Sequence, residues 1–427
     1  CTENFRMPSD WYYWHPTVCD TNPKYLAHDI ARYRCAEAKA LMLLASATPS
    51  LESYYKAKTG KYTLVPLTER YGGLLLPETE IVDMREELKD GNDLSLSIPL
   101  LDAIRHTADE KKQAILFLNR RGNSRALVCM DCRSTPECPR CSARLTYHSA
   151  NERLMCHYCG YSEKVSPCCP SCGGSWKRVG TGTQKVQQEL REMIPDIGID
   201  RMDTDTVSAV NTHEKILDHF KKENIPVLLG TQMVAKGLNL PNVTLVGVLD
   251  ADLSLYTDSY RSAETTFNML TQVVGRAGRG ESAGRAMIQT MVPEHKVINL
   301  AAEQDYEGFY ELEIGLRRLQ GVPPFGDLVQ ITFTGLDEAA VLRGAVKFRD
   351  SLLLCLKQSP FDKEPCTVLG PAPCPVPKIN YHFRYRLTLR CKMTTKLRRL
   401  LAHMLRQFSQ DKQNRGISAF VDVNGYE

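Results

Sequence analysis

Short apolar runs alternate with amphipathic segments through the middle of the chain. This alternation predicts a parallel sheet with helices on both faces, because strands buried on both sides read as continuous apolar runs. The predicted strands are 114–118, 199–202, 227–229, 244–249 and 285–290. The predicted helices are 98–110, 184–193, 212–222 and 263–274. The fold class expected for this part of the chain is therefore α/β.

The pattern differs at both ends. Upstream we predict helices at 25–37 and 51–58, strands at 40–44, 62–67 and 80–84, and a polar linker at 85–93. Downstream we predict strands at 328–333 and 383–389, helices at 339–357 and 396–408, and a proline-rich loop at 360–377. The downstream part is expected to be a separate α+β domain.

The predicted sheet is interrupted by four Cys-x-x-Cys pairs, which lie between residues 129 and 172. Tetrahedral zinc takes four thiolates, so eight cysteines make two closed sites. The inner pairs, Cys138/Cys141 and Cys156/Cys159, are separated by fourteen residues, which is close to zinc-ribbon spacing. The outer pairs, Cys129/Cys132 and Cys169/Cys172, would then share the second ion. Such sites are structural rather than catalytic, and the alternative is a set of free or redox-active thiols.

The clustering of the cysteines in pairs within a large chain is typical of proteins of a reducing compartment. Nine of the 16 cysteines fall between residues 129 and 172, and no apolar run is long enough to span a membrane. We therefore expect a cytoplasmic protein without a membrane partner.

Residues 378–416 carry a formal charge of +10, as expected of a surface that faces a polyanion. The Cys-rich segment 120–178 keeps only about +2 after eight thiolates and two Zn²⁺ are counted, so DNA attraction by this segment does not follow from its charge.

Three further motifs carry chemistry. Gly-Thr-Gln-Met-Val-Ala-Lys-Gly (230–237) ends an apolar strand, and Gln-Val-Val-Gly-Arg-Ala-Gly-Arg (272–279) ends a helix. Two arginines three residues apart can stabilise charge on a γ-phosphate, although a solvated arginine pair is the alternative. Ser-Ala-Thr (46–48) precedes a helix and by itself is typical of a helix cap.

Together these motifs resemble the superfamily 2 helicases, and more narrowly the primosomal protein N′ (PriA) family of bacterial replication-restart helicases. The resemblance covers roughly residues 25–427 and rests on the following runs: Ser-Ala-Thr-Pro-Ser (46–50), Phe-Leu-Asn-Arg-Arg-Gly (117–122), the eight-Cys module, Gly-Thr-Gly-Thr-Gln-Lys (180–185), Arg-Met-Asp-Thr-Asp-Thr (201–206), Gly-Thr-Gln-Met-Val-Ala-Lys-Gly (230–237), Val-Gly-Val-Leu-Asp-Ala-Asp (246–252), Gln-Val-Val-Gly-Arg-Ala-Gly-Arg (272–279), Pro-Pro-Phe (323–325) and Gly-Pro-Ala-Pro (370–373). A zinc module spliced between helicase motifs is specific to this family.

The resemblance implies a domain order. Residues 1–93 would be a remnant of the first helicase lobe with a linker, and 94–125 and 179–320 would form the RecA-like second lobe. Residues 126–178 would be the inserted two-zinc module, and 321–427 a C-terminal DNA-binding domain.

The resemblance also implies ATP-dependent 3′→5′ unwinding of DNA, with Mg²⁺ bound beside ATP. Arg276, Arg279 and Gln272 would be catalytic, with both arginines at the γ-phosphate. The residues implied to bind or sense nucleotide are Gly230, Thr231, Gln232, Lys236, Gly237 and Thr48. The implied partners are forked DNA, primosome proteins, single-stranded-DNA-binding protein and the replicative helicase loader, with the chain itself a monomer.

The sequence departs from this family before Ser46. It contains neither the Gly-Lys-Thr phosphate-binding loop nor the Asp-Glu-x-His box that the family carries there. We therefore expect an N-terminally truncated copy that does not hydrolyse ATP alone. The alternative is a non-enzymatic zinc-containing DNA-binding or primosome-scaffold fragment.

Two groups of residues are candidates for DNA contact. Tyr256, Tyr260 and Phe267 could stack on unpaired bases, although packing beneath a loop is the favoured interpretation. In the C-terminal domain the candidates are Lys378, Tyr381, Arg384, Arg386 and Arg390. Strand periodicity puts Arg384, Arg386 and Arg390 on one face, where phosphate contact is favoured over a merely solvated surface.

Overall fold

A computed structural model describes residues 27–67, 76–119, 126–202, 212–231, 240–278 and 284–425, with short gaps at 130, 133, 149–152, 157, 180–181 and 258. The chain divides into two compact units. The first unit comprises residues 1–119 and 187–312, and the second comprises 120–186 and 313–425. The Cys-rich segment thus belongs to the same compact unit as the C-terminal domain.

The first unit contains a sheet of six parallel strands. Its strands are β1 (Glu78–Asp83), β2 (Gln113–Leu118), β8 (Ile199–Met202), β9 (Val227–Gly230), β10 (Val243–Leu249) and β11 (Arg285–Thr290), with β3 to β7 in the second unit. Their order across the sheet is β1-β11-β10-β2-β9-β8. Every residue of β2 and β9 is buried, as expected for central strands covered on both faces. The predicted α/β class is confirmed.

Helices precede, connect and follow these strands along the chain. They are α1 (Ala27–Glu37), α2 (Leu51–Lys58), α3 (Met84–Lys89), α4 (Ile98–Asp109), α5 (Thr183–Met193), α6 (Thr212–Lys222), α7 (Ser262–Val274), α8 (Lys296–Ala302) and α9 (Tyr306–Gln320). The sequence pattern predicted α1, α2, α4, α5, α6 and α7 to within two residues but missed α3, α8 and α9. Among the described residues, no helix is both long and apolar enough to cross a bilayer.

Three upstream predictions were wrong. Segments 40–44 and 62–67 form no strand, and Leu41 and Leu67 are over 90% exposed. Apolar character alone does not make a strand, because its backbone groups need a partner. The predicted linker 85–93 begins with α3, which Asp83 caps by accepting from the Arg85 N–H. In addition, β1 pairs with β11, so the sheet includes a strand that the predicted boundary at residue 93 assigned to the preceding lobe.

The Cys-rich part of the second unit is built from very short strands. They are β3 (Ala126–Cys129), β4 (Thr146–His148), β5 (Arg153–Met155), β6 (Ser162–Lys164) and β7 (Trp176–Val179). β3 pairs with β7, and β4, β5 and β6 form an antiparallel meander. Strands of three or four residues bury little apolar surface, so this part needs additional crosslinks.

The C-terminal part has the order β12 (Asp327–Gly335), α10 (Glu338–Leu356), β13 (Cys366–Ile379), β14 (His382–Cys391), α11 (Thr395–Gln410) and β15 (Ile417–Val423). The antiparallel sheet order β13-β14-β12-β15 makes this a βαββαβ fold of the ferredoxin-like kind. Both helices cover one face, where Phe333, Phe348 and Phe408 pack edge to face. The predicted α+β class is confirmed, and β15 was missed.

The predicted proline-rich loop is mostly strand β13. Prolines recur at every second position from 371 to 377, so they all share one orientation along the strand. Among the strands that the structure describes, β13 pairs only with β14 and lies at the edge of the sheet. A missing N–H costs no ladder hydrogen bond where it faces away from the neighbouring strand, which is how an edge strand tolerates proline. Breaks in register accompany the run, between Leu369 and Ala372 and between Pro373 and Lys378.

A buried ion pair stabilises the start of the C-terminal domain. Arg317 is fully buried on α9, and its Nε donates to Glu313 Oε1 at 3.3 Å. We expect Arg317→Ala to lower the free energy of unfolding by about 3 kcal/mol, because the buried Glu313 carboxylate loses its ion pair with Arg317. Urea unfolding followed by circular dichroism measures this.

The neighbouring Arg318 is the matched control. It is exposed, and its guanidinium lies 4.9 Å from the centroid of the Phe325 ring. Exposed cation–π contacts contribute about 0.5–1 kcal/mol, so Arg318→Ala should lie within that range. Equal losses in the two variants would show that the buried pair is not the source of the stability.

Candidate metal centres and nucleotide-binding motifs

The outer pairs of cysteines converge on one point in the second unit. The Sγ atoms of Cys129, Cys132, Cys169 and Cys172 all lie within 4.8 Å of one another. Cys129 Sγ is 3.4 Å from Cys172 Sγ, and Cys132 Sγ is 3.7 Å from Cys169 Sγ. Four sulfurs around Zn²⁺, each at about 2.3 Å, would be separated by roughly 3.8 Å. The observed separations therefore fit a tetrahedral zinc site.

A hydroxyl group supports the outer site. Ser134 Oγ lies 3.1 Å from Cys132 Sγ and 3.2 Å from Cys169 Sγ. A donor to a thiolate stabilises the charged form, and the hydrogen bond with Ser134 lowers the pKa of Cys169 to about 6. This hydrogen bond therefore favours the thiolate form of Cys169, which is the form that binds a metal.

The inner pairs form the second site. Cys138, Cys141, Cys156 and Cys159 also place their Sγ atoms within 4.8 Å of one another, with 3.7 Å between Cys138 and Cys159. Three of these cysteines are buried, whereas two of the four in the outer site are exposed. The nested pairing predicted from spacing is confirmed.

Local backbone geometry aims the sulfurs. Gly160 and Gly173 directly follow the second cysteine of two pairs and have φ of 71° and 77°. Their N–H groups donate to the carbonyls of Cys156 and Cys169. Glycine takes this left-handed conformation at no steric cost, which allows each pair to turn back on itself.

The inner site is enclosed by a small apolar cluster. Its buried members are Leu127, Cys138, Cys141, Leu145, Tyr147, Leu154 and Cys156, with Ile379 of β13 packed against them. Burial raises the pKa of Cys141 to about 12, and a hydrogen bond from the Asn380 backbone N–H lowers it in part. A divalent cation offsets the cost of four thiolates in such a place. The donor set, separations and enclosure all fit two structural zinc ions.

The nucleotide motifs lie in the first unit. Gly230 is buried at the carboxyl end of β9, and Thr231 follows it. Gln232, Lys236, Gly237 and Arg279 lie outside the described residues. Gln272 is half-buried on α7, and Arg276 is 8% exposed in the turn that follows this helix.

The turn after α7 packs closely against the sheet. The Gly278 N–H donates to the carbonyl of Val243 at the amino end of β10. A Cβ on Gly284 would lie 2.5 Å from Gly278 N, so this approach requires glycine. Gly230 of β9 and Val248 of β10 both pair with Phe117 of β2, so Gly230 is level with Val248 in the sheet. Val248 lies about five residues, or roughly 16 Å, beyond Val243 along β10. The structure thus does not bring Gly230 next to the Arg276 turn.

The Ser-Ala-Thr motif packs on the helix that carries Gln272. Thr48 is buried, and the Leu51 N–H at the start of α2 donates to Glu264 on α7. Arg261 pairs with Glu52 at 2.7 Å and with Glu264 at 3.5 Å. These ion pairs, which sequence reasoning missed, fix the motif against α7.

The aromatic candidates separate into two kinds. Phe267 is fully buried and stacks on Phe309 of α9 with ring centroids 4.2 Å apart. The suggestion that Phe267 stacks on an unpaired base was therefore wrong, and the favoured interpretation, packing inside the protein, is confirmed. Tyr260 lies under the Arg261 guanidinium. Tyr256 is 70% exposed, and its contact with DNA stays a prediction.

The basic candidates lie on or beside β14. Residues 383, 385, 387, 389 and 391 alternate with them, and three of these are buried beneath the helices. Arg384, Arg386 and Arg390 therefore share the opposite, helix-free face of the sheet, as predicted. Lys378 Nζ lies 5.7 Å from the centroid of the Phe383 ring, and Tyr381 is 51% exposed in the turn before β14. No sequence signal pointed to the contacts between this turn and the inner metal site.

Comparisons with known domain families match three stretches of the chain. The Primosomal protein N C-terminal domain matches residues 318–426, and the PriA DNA helicase Cys-rich region domain matches 138–164. The Helicase conserved C-terminal domain matches 178–281.

Curated relatives match most of the chain. It is 41% identical over 409 residues to replication restart protein PriA of Bacillus subtilis, covering 95% of this chain and 50% of the relative. Against the PriA of Synechocystis the identity is 38% over 377 residues, covering 86% and 45%. The chain therefore spans about half the length of the curated relatives it matches.

Solved structures give a weaker likeness. Saccharomyces cerevisiae Dbp5 bound to RNA and ADP BeF3 matches with a TM-score of 0.29 and 10% identity, covering 68% of this chain and 53% of that one. A DEAD box protein from Methanococcus jannaschii also gives a TM-score of 0.29, with 15% identity and coverage of 65% and 53%.

Two zinc ions per chain are expected, and single substitutions should remove them one at a time. Cys156→Ser should lower the zinc content from two ions to one, because three thiolates leave the inner site open. Cys168→Ser is the control, since exposed Cys168 belongs to neither cluster, and it should keep two. Elemental analysis of the purified chains measures both. Loss of zinc from the Cys168 variant would contradict the assignment of Cys169 to the outer site.

Proposed function

Because the chain belongs to the PriA family of replication restart proteins, we propose that it acts in the ATP-dependent 3′→5′ unwinding of DNA and the remodelling of abandoned replication forks. The single observation that carries this proposal is the insertion of two Cys₄ sites between β2 and α5 of a parallel α/β sheet. DNA, primosome proteins, single-stranded-DNA-binding protein and the replicative helicase loader are the proposed partners, in the cytoplasm of a bacterium.

Arg276 has the proposed catalytic role. An arginine beside a γ-phosphate stabilises the charge that develops as the phosphoryl group is transferred. Arg276 fits this role because it lies in the turn that Gly278 and Gly284 pack against the sheet. ATP with Mg²⁺ would supply the phosphoryl group, and the residues proposed to respond to it are Gly230, Thr231 and, on α7, Gln272.

The open face of the C-terminal sheet is the proposed DNA surface. Both α10 and α11 pack on the other face of the sheet, and this face carries Arg384, Arg386 and Arg390 beside Thr332 and Phe420 of the adjacent strands. Guanidinium groups bind phosphates and aromatic rings stack on bases, so this combination suits a nucleic acid strand. The same surface supports the second candidate function, a zinc-containing DNA-binding scaffold without an enzymatic role.

The chain alone should not hydrolyse ATP, because no Gly-Lys-Thr loop occurs in its 427 residues. A hybrid that places the remaining half of the Bacillus subtilis relative before this chain should hydrolyse ATP when forked DNA is present. In that hybrid Arg276→Ala should lower the rate at least about 10³-fold, whereas Arg285→Ala, an exposed residue on β11, should leave it unchanged. A hybrid that binds forks without hydrolysing ATP favours the scaffold.

Loss of the open-face arginines should weaken DNA binding and flatten its salt dependence. Each phosphate contact contributes about −0.9 to the slope of log K against log salt for duplex DNA. The double variant Arg384→Ala/Arg386→Ala should therefore reduce the magnitude of this slope by about 2. Arg399→Ala is the control, because Arg399 is exposed on α11 on the other side of the sheet. Fluorescence anisotropy over a salt series measures both, and equal effects would exclude the open face as the DNA surface.

A further inference from the structure

The turn between β13 and β14 has an unusual position. Asn380 and Tyr381 form a two-residue loop, with Ile379 paired to His382 and φ values of 47° and 65°. Two consecutive residues in the left-handed region are typical of a type I′ hairpin turn, which matches the twist of its strands. Although it belongs to the C-terminal fold, the tip of this hairpin lies on the Cys-rich part of the same unit.

Backbone hydrogen bonds join the turn to the Cys138–Cys141 knuckle. The Ser142 N–H donates to the carbonyl of Lys378 at 2.9 Å, and the Tyr381 N–H donates to the carbonyl of Arg140 at 2.6 Å. Between them, the Asn380 N–H donates to Cys141 Sγ at 3.1 Å. Ile379 adds apolar contact with the cluster that encloses the inner site.

We propose that the Asn380 turn is a structural part of the inner zinc site, so that zinc occupancy and the position of the β13–β14 hairpin are coupled. Cys141 would then connect the Cys-rich part and the C-terminal domain of the second unit. Its sulfur would bind zinc on one side and accept the Asn380 N–H on the other.

The physical reason is the need to stabilise a buried thiolate. A hydrogen bond to the sulfur orients the ligand, and loss of such a supporting partner typically costs about 10–100-fold in metal affinity. The Asn380 donor lies 239 residues from Cys141, so it is present only when the C-terminal domain is folded against the knuckle.

Coupling of this kind is reciprocal. If the turn increases zinc affinity, zinc must stabilise the turn by the same free energy. Two neighbouring backbone hydrogen bonds fix the register of the contact, so the donor cannot shift to another sulfur without breaking them. The inner site should therefore respond to changes in the turn more strongly than the outer one.

Asn380→Pro tests the donor, and Asn380→Gly is its matched control. Proline has no N–H and cannot adopt a φ of 47°, whereas glycine keeps the N–H and accepts this φ. Zinc release to a chromogenic chelator should show one of the two ions leaving at least about tenfold faster in Asn380→Pro. Asn380→Gly should release both ions at the rates of the unaltered chain.

The same comparison in a chain that also carries Cys132→Ser identifies the site from which the faster ion leaves, because only the inner site has all four thiols there. Fast release in Asn380→Pro in this background supports the proposal. Unchanged release overturns it, and so does equal acceleration of both ions in the chain with eight cysteines.

A second measurement needs no variant and covers the case in which Asn380→Pro fails to fold. Hydrogen exchange of the unaltered chain is followed before and after zinc is removed by chelation. Amides 380 and 381 should exchange at least about tenfold faster without zinc, whereas β12 and β15 keep their protection. Unchanged exchange at the turn overturns the proposal.

Discussion

The convergence of four thiols at each of two points is the constraint on which the second unit depends. The Cys-rich segment has strands of only three or four residues and a small apolar cluster. Such a segment cannot bury enough surface to offset the entropy of ordering its chain. Two zinc ions would supply the missing crosslinks, because metal binding and folding are a single equilibrium in small Cys₄ sites.

The nesting of the two sites makes this constraint stronger. Cys132 and Cys169 are 37 residues apart, and the inner site lies between them in the sequence. Closing the outer site therefore confines the inner pairs, and closing the inner site shortens the loop that the outer one must close. The two crosslinks support each other more than two separate ones would.

What the sequence predicted depended on how local the signal was. The Cys pairs are local motifs, so their pairing followed from spacing, and the buried strands followed from apolar runs such as 227–229. Strand β13 was missed because its prolines argue against a strand, and only its edge position makes them tolerable. The Asn380 contact with Cys141 joins residues far apart through a backbone N–H, which leaves no trace in residue type. The Arg261–Glu52 ion pair was missed because it links α2 to the start of α7, and the sequence does not give the packing of these two helices.

The fold divides the positive charge of the C-terminal segment, residues 378–416, between two surfaces. Its formal +10 is divided between two surfaces, because Arg384, Arg386 and Arg390 lie on the open sheet face and Lys396, Arg398 and Arg399 lie on the outer side of α11. A sheet and a helix layer separate these surfaces, so one DNA strand cannot contact both. Net charge therefore overstates the attraction that either surface provides. The open face has the additional property that the turn of its β13–β14 hairpin contacts the inner metal site, through the Asn380 N–H and Cys141 Sγ.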